Sequence, residues 1–200
     1  MITENILKLK INSDINILGG LPDFNLVNHF LFNTKNDSEL QQGHYTFTAI
    51  KTDKSVKRFE KAILSTFLNF KNERVEKLMR SVLKIESQSK DSLLLLFWNS
   101  SCNNDLLRHL NGRIYFSSLY SGRIMIKKDE VIDCLKELAE TNKELSDWGK
   151  STLEVTASKY LTLLKKFNLL EGAINKTLNH PFLDDKMFVL FVYWLFFQRS

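Results

Sequence analysis

The densest chemistry in this sequence is positive charge at helical spacing. In "DKSVKRFEKAILSTFLNF" the residues Lys54, Lys57, Arg58 and Lys61 fall at i, i+3, i+4 and i+7, which at about 100° per residue makes one stripe. Val56, Phe59, Ile63, Phe67 and Phe70 occupy the other face. The next segment, "ERVEKLMRSVLKIE", sets Lys77, Arg80 and Lys84 against Val75, Leu78, Val82 and Ile85. Between residues 51 and 84 there are ten Lys and Arg against four Asp and Glu, a local +6 that exceeds the +5 of the whole chain. Such stripes suit phosphate contact, since cations on a nucleic acid release condensed counterions. The competing reading is an ordinary solvated face, on which like charges at i, i+4 are tolerated.

Two further groups carry the same sign. Arg108, Arg113, Arg123, Lys127 and Lys128 are interleaved with Tyr115, Phe116 and Tyr120, a mixture that suits base stacking or duplex backbone contact. The same aromatics read equally as core, with only the arginines outside. In "SDWGKSTLEVTASKYLTLLKKFNLLEG" the apolar residues Leu153, Ala157, Tyr160, Leu161, Leu164 and Phe167 lie on one side of a helix. Ser151, Val155, Lys159, Thr162 and Lys166 lie opposite, with Thr152 and Thr156 alongside. Lys150, Ser151 and Thr152 open this helix, where free N–H groups and short hydroxyls suit phosphate and an exposed valine suits a thymine methyl.

Catalytic and cofactor chemistry finds no such pattern. Gly149-Lys150-Ser151 matches the end of a phosphate-binding P-loop, but that motif needs a glycine five residues earlier, where Glu144 stands. His29, His44, His109 and His180 are far apart, Asp184 and Asp185 would point about 100° apart on a helix, and GxSxG and HExxH are absent. Cys102 and Cys134 lack metal-ligand spacing and read as small buried hydrophobes of a reducing compartment. The sequence therefore predicts no enzyme, no metal and no cofactor.

The elements that must position these cations are mostly helices. With 44% hydrophobic residues and two prolines in 200 residues, the chain carries enough apolar surface for one sizeable core. Helical runs are expected at about 54–70, 73–86, 91–98, 103–110, 128–145, 151–170 and 184–198. Asp53 and Asn72 are expected to cap the first two, and Gly112, Gly122 and Gly172 to lie past or between others. Strands are few: 6–11, 124–126 and 173–178. The helices at 128–145 and 151–170 form a helix-turn-helix-like pair. The expected fold is mainly α, a compact helical bundle over 51–200 with a less regular N-terminal portion over 1–50, or one continuous domain.

The start "MITENILKLK" lacks the charge and apolar run of a signal peptide. "MFVLFVYWLFF", 187–197, is unbroken apolar sequence, but 11 residues fall short of the about 20 a membrane-spanning helix needs. The expected reading is a buried C-terminal core helix in a cytoplasmic protein without an integral membrane span.

The succession "SLLLLFWNSSCNNDLLRHL", "DEVIDCLKEL" and "LSDWGKSTLEVTASKYLTLLKKFNLLEG" resembles the BrxA-like small proteins of bacteriophage exclusion (BREX) defence systems. Leu96, Phe97, Trp148, Thr152, Leu161, Leu164, Leu169, Leu170 and Gly172 carry the resemblance, over about residues 50–175. It implies a fold similar to the NusB-type antitermination factors, double-stranded DNA and other BREX proteins as partners, and no enzymatic role. Members have also been labelled inner-membrane proteins, a label the short run at 187–197 does not support. Two functions follow: a largely sequence-tolerant duplex-DNA binder, or an assembly and adaptor subunit, with RNA binding implied by the NusB likeness.

Overall fold

A computed structural model describes residues 10–32, 52–85, 89–174 and 176–199, without the side chains of 84 and 85. The chain is mainly α. Two short helices, α1 (Asp14–Leu18) and α2 (Asn25–Phe32), precede α3 (Asp53–Thr66), α4 (Glu73–Ile85) and α5 (Lys90–Asn103). Next come α6 (Asp105–Leu110), a π-helical turn (Asn111–Phe116) and α7 (Ser117–Tyr120), which run on without a break. The remainder is β1 (Met125–Ile126), α8 (Lys128–Thr141), α9 (Lys143–Ser146), α10 (Lys150–Lys166), β2 (Leu170–Glu171), β3 (Lys176–Leu178) and α11 (Asp185–Arg199).

The sequence explains why α5 is central. Its "SLLLLF" run is apolar on every side, and residues 92–97 are all buried, as a helix surrounded by others requires. Around it, Phe24, Phe67, Phe97 and Phe167 meet with ring centroids 5.6–6.0 Å apart, and Phe97 also meets Tyr115 edge-on at 5.7 Å. These rings come from the α1–α2 segment, the end of α3, α5, the π-helical turn and the end of α10. Each buried phenyl contributes about 1.5–3 kcal/mol, so residues 10–32 are fastened into the same core as the rest.

Side-chain amides hold α3 in place. Its last carbonyls lack intrahelical donors, and α5 supplies them: Asn99 Nδ2 donates to Phe67 O at 2.9 Å, and Asn103 Nδ2 to Thr66 O at 3.0 Å. The start of α3 is capped by Thr52, whose Oγ1 accepts from Ser55 N at 3.2 Å, where Asp53 was the expected cap. Asn72 caps α4 as expected, accepting from Val75 N at 3.0 Å.

Three expectations are corrected. The glycine at 112 does not end a helix: the chain passes through it as a π turn within a rod from 105 to 120. Gly172 does not close α10 either; Asn168, at φ 60°, takes the left-handed C′ position, with Leu169 N bonded to Leu164 O and Asn168 N to Lys165 O. Above all, α11 is not a buried core helix. Only Met187 and Trp194 are fully buried, with Trp98 of α5 against Phe191 and Trp194 at 4.4 and 5.9 Å. The opposite side faces outward. Among the described residues no helix is long and apolar enough to cross a membrane. Of the expected strands, 124–126 and 173–178 overlap β1 and β3, while 6–11 falls mostly outside the described residues.

Candidate nucleic-acid interface

The α3 stripe forms as its spacing predicts. Lys54, Lys57, Arg58 and Lys61 are all exposed, and none has an ion-pair partner among the described residues. α4 differs, because its acids sit one turn before its bases. Lys77 pairs with Glu73 at 2.7 Å, and Arg80 with Glu76 at 2.8 Å. Arg80 also donates to the carbonyl of Leu31, capping α2. Its guanidinium is therefore already engaged in holding two helices together. Lys84 lies in α4, and its side chain is outside the described residues.

The second cluster disperses along a different surface. Arg113 pairs with Glu137 of α8 at 3.3 Å, Arg123 with Glu130, and Arg108 with Asp105 at 2.7 Å. Tyr115 is buried, and its hydroxyl is pushed up to about 12, first by burial and then by Tyr120. The aromatics at 115 and 116 belong to the core, while Tyr120 is exposed and stacks on Phe116.

Around α10 the chain builds a distinct unit. The rod 105–120 leads into β1, α8, the α9 turn, α10 and the β2–β3 hairpin, and the sheet is antiparallel in the order β1-β3-β2. Met125 lies opposite Thr177, and Leu170 opposite Leu178. Helix, strand, two helices and a terminal hairpin in that strand order is the topology of a winged helix-turn-helix unit, with α10 second of the pair. α10 is held from behind by Leu153, Ala157, Tyr160, Leu161 and Leu164, all buried. Tyr160 donates to Asn111 Oδ1 at 3.1 Å, and Asn111 Nδ2 to Ser101 Oγ at 2.8 Å, tying α10 through the π turn to α5.

The outer side of α10 divides into two halves. In the first, Lys150, Ser151 and Thr152 are exposed and Val155 is 46% exposed. The N-cap is Gly149, which offers no side-chain acceptor, and the first turn carries no acid. Its N–H groups and partial positive charge are left to an outside anion. Lys150 makes only a long contact with Glu154, 3.9 Å.

In the second half the N-terminal segment lies on the helix. Lys159 and Lys166 are half-buried, Lys166 Nζ donates to Pro22 O at 3.2 Å, and the lysine is pushed below its ordinary value, first by burial, with Lys159 adding to it and Asp23 opposing. Thr156 is fully buried, and Thr162 turns its hydroxyl back to Ser158 O at 2.8 Å. The single outer face read from the sequence is thus open at its start and covered further along.

Sequence reasoning gave no site role to Lys165 or Lys176 and left Lys127 and Lys128 with the arginine cluster. In the fold Lys127, Lys128 and Lys176 come together with Ser158 and Thr162 around a cleft of about 480 Å³ between the start of α8, α10 and the hairpin turn. The signal was the strand expected at 173–178: pairing it with 124–126 brings these lysines together. Among the described residues no group of three or more His, Cys, Asp or Glu could hold a metal ion.

The family model for BrxA matches residues 35–192. The chain belongs to the BrxA family and is a component of a BREX phage-defence system. Neither the characterised proteins nor the solved structures include a match to it.

Proposed function

We propose that this BrxA-family chain is a non-enzymatic, cytoplasmic binder of duplex DNA, reading it through the winged unit. The observation that carries this is the open first half of α10. A helix start with no side-chain cap and no acid, bearing Lys150, Ser151, Thr152 and Val155, is what a major groove accepts from the second helix of such a pair. Lys127, Lys128 and Lys176 flank it and would meet the adjoining backbone. The α3 stripe of Lys54, Lys57, Arg58 and Lys61 supplies a second, sequence-independent set of phosphate contacts. Lys77, Arg80, Arg113 and Arg123, each already ion-paired, would contribute less. Lys159 and Lys166 would contribute chiefly to the field, because the N-terminal segment stands over them.

The experiment is fluorescence anisotropy with a labelled duplex over a salt series, with an RNA competitor. Changing Lys54, Lys57, Arg58 and Lys61 together to Gln should leave stability within about 1 kcal/mol, as exposed charges contribute little. It should lower the slope of log K against log salt by roughly 0.9 per contacting residue. Lys150→Glu should weaken binding independently. Unchanged affinity in both variants removes the DNA reading, and displacement by RNA alone would favour the NusB-like alternative. The exposed outer side of α11 favours a second reading, an assembly subunit for other BREX proteins; co-purification lost on changing α11, with DNA binding absent, would select it.

A further inference from the structure

Along its outward side α11 carries apolar residues from end to end, and opposite charges stand at the two ends of that same side. Phe188 is 57% exposed, Val189 51%, Val192 47% and Phe196 61%. At about 100° per residue, Asp185, Phe188, Val192, Phe196 and Arg199 fall within an arc of roughly 80°. The packed residues Met187, Leu190, Phe191, Trp194 and Phe197 lie on the other side. The outward set is also palindromic about Val192. Phe188 and Phe196 each stand four residues from it, Val189 and Leu195 three, and Asp185 and Arg199 seven.

We infer that α11 pairs antiparallel with α11 of a second copy of this chain, about a two-fold axis at Val192. In that arrangement Phe188 meets the second copy's Phe196, Val189 meets its Leu195, and Val192 meets its own counterpart. Asp185 faces Arg199 at both ends of the interface. A two-fold interface must be self-complementary in this way, each residue meeting its partner twice. Parallel pairing would set Asp185 against Asp185 and Arg199 against Arg199, and would align the two helix dipoles unfavourably.

The area agrees. The exposed parts of Phe188, Val189, Val192, Tyr193, Leu195 and Phe196 amount to roughly 650 Å², above the apolar patch of an ordinary monomer and near the ~800 Å² per partner of a stable interface. A membrane surface fits less well. Interfacial helices flank the apolar side with Lys and Arg, whereas here the first turn carries Asp185, and Lys186 faces Asp91 of α5 at 3.6 Å.

Sedimentation velocity of the full chain, to about 100 µM, should show mass rising with concentration from 23.4 kDa to twice that. Arg199→Asp and Asp185→Arg should each weaken association by about tenfold, and the two changes together should restore it. Phe188→Glu should leave the monomer folded by circular dichroism and abolish the dimer. In a Cys102→Ser background, Val192→Cys should oxidise to a disulfide-linked dimer, because only this residue meets itself. A wild type that stays at 23.4 kDa, or a charge exchange that does not restore association, overturns the proposal. So does Phe188-dependent pelleting of a monomer with phosphatidylglycerol vesicles. Failure of DNA binding leaves this inference untouched, since no residue of α11 belongs to that reading.

Discussion

Gly19→Ala is a small change with a large expected effect, and it tests how the N-terminal segment covers α10. Gly19 has φ −65°, so its backbone is right-handed and alanine would ordinarily be favoured there, by about 0.4–1 kcal/mol through the unfolded chain. The obstacle is space. An added Cβ would stand 2.8 Å from Cα and Cβ of Lys159 and closer still to its carbonyl oxygen, atoms of a helix fixed on its far side by Tyr160, Leu161 and Leu164. Relief requires α1 to lift. Ile15, Leu18 and Leu21 are fully buried, so a shift loosens all three. Overpacking of this kind costs about 1–3 kcal/mol, which in a chain of this length lowers Tm by roughly 2–4 °C per kcal/mol. Gly20→Ala is the control: its Cβ would meet Ile17 O at 3.2 Å and the mobile end of Lys159 at 3.4 Å, and should change Tm by less. Calorimetry of the three proteins decides the matter. A Gly19→Ala protein as stable as wild type, or more so, would refute the close seating of α1 on α10.

Other outcomes follow from single positions. Gly112 has open space around it and no left-handed φ, so Gly112→Ala should raise stability by about 0.4–1 kcal/mol in a denaturant titration. Tyr160→Phe leaves the buried Asn111 oxygen without its donor and should lower stability by about 1–3 kcal/mol. His109 is held below 6.5, first by burial and then by Arg113, against Glu137. The unfolded chain therefore takes up the proton more readily, so Tm should fall as pH drops below about 6.5, and His109→Gln should flatten that slope. Trp194→Ala should cost about 3–5 kcal/mol, as truncation of a buried indole does.

How much of this was legible depends on whether a feature is local. The α3 stripe was, because a 3.6-residue period specifies a face wherever the helix packs. The helix pair and hairpin were nearly so: 124–126 and 173–178 stood out as short apolar segments, though the β1-β3-β2 order that gathers Lys127, Lys128 and Lys176 did not. Pairings across the chain were invisible. Arg113 finds Glu137 and Arg80 finds the carbonyl of Leu31, and nothing in either neighbourhood announces it. Gly19-Gly20 read as punctuation, where chain direction changes. The structure uses Gly19 instead for the absence of a side chain beneath a neighbouring helix.

The C-terminal helix shows most plainly where the period stops informing. A run such as "MFVLFVYWLFF" is apolar at every angle, so hydropathy reports that it avoids water and is silent on which side does the packing. The asymmetry lies in Trp98, which takes Phe191 and Trp194, and in Asn72 and Lys71, which donate to the carbonyls of Phe197 and Gln198. Those contacts seat one side of α11 and present the other. Asp185 and Arg199 then acquire a meaning they lack in the sequence, where they only bound an apolar run. On the presented side they mark its two ends with opposite sign, which is the condition for a second α11 to lie against it head to tail.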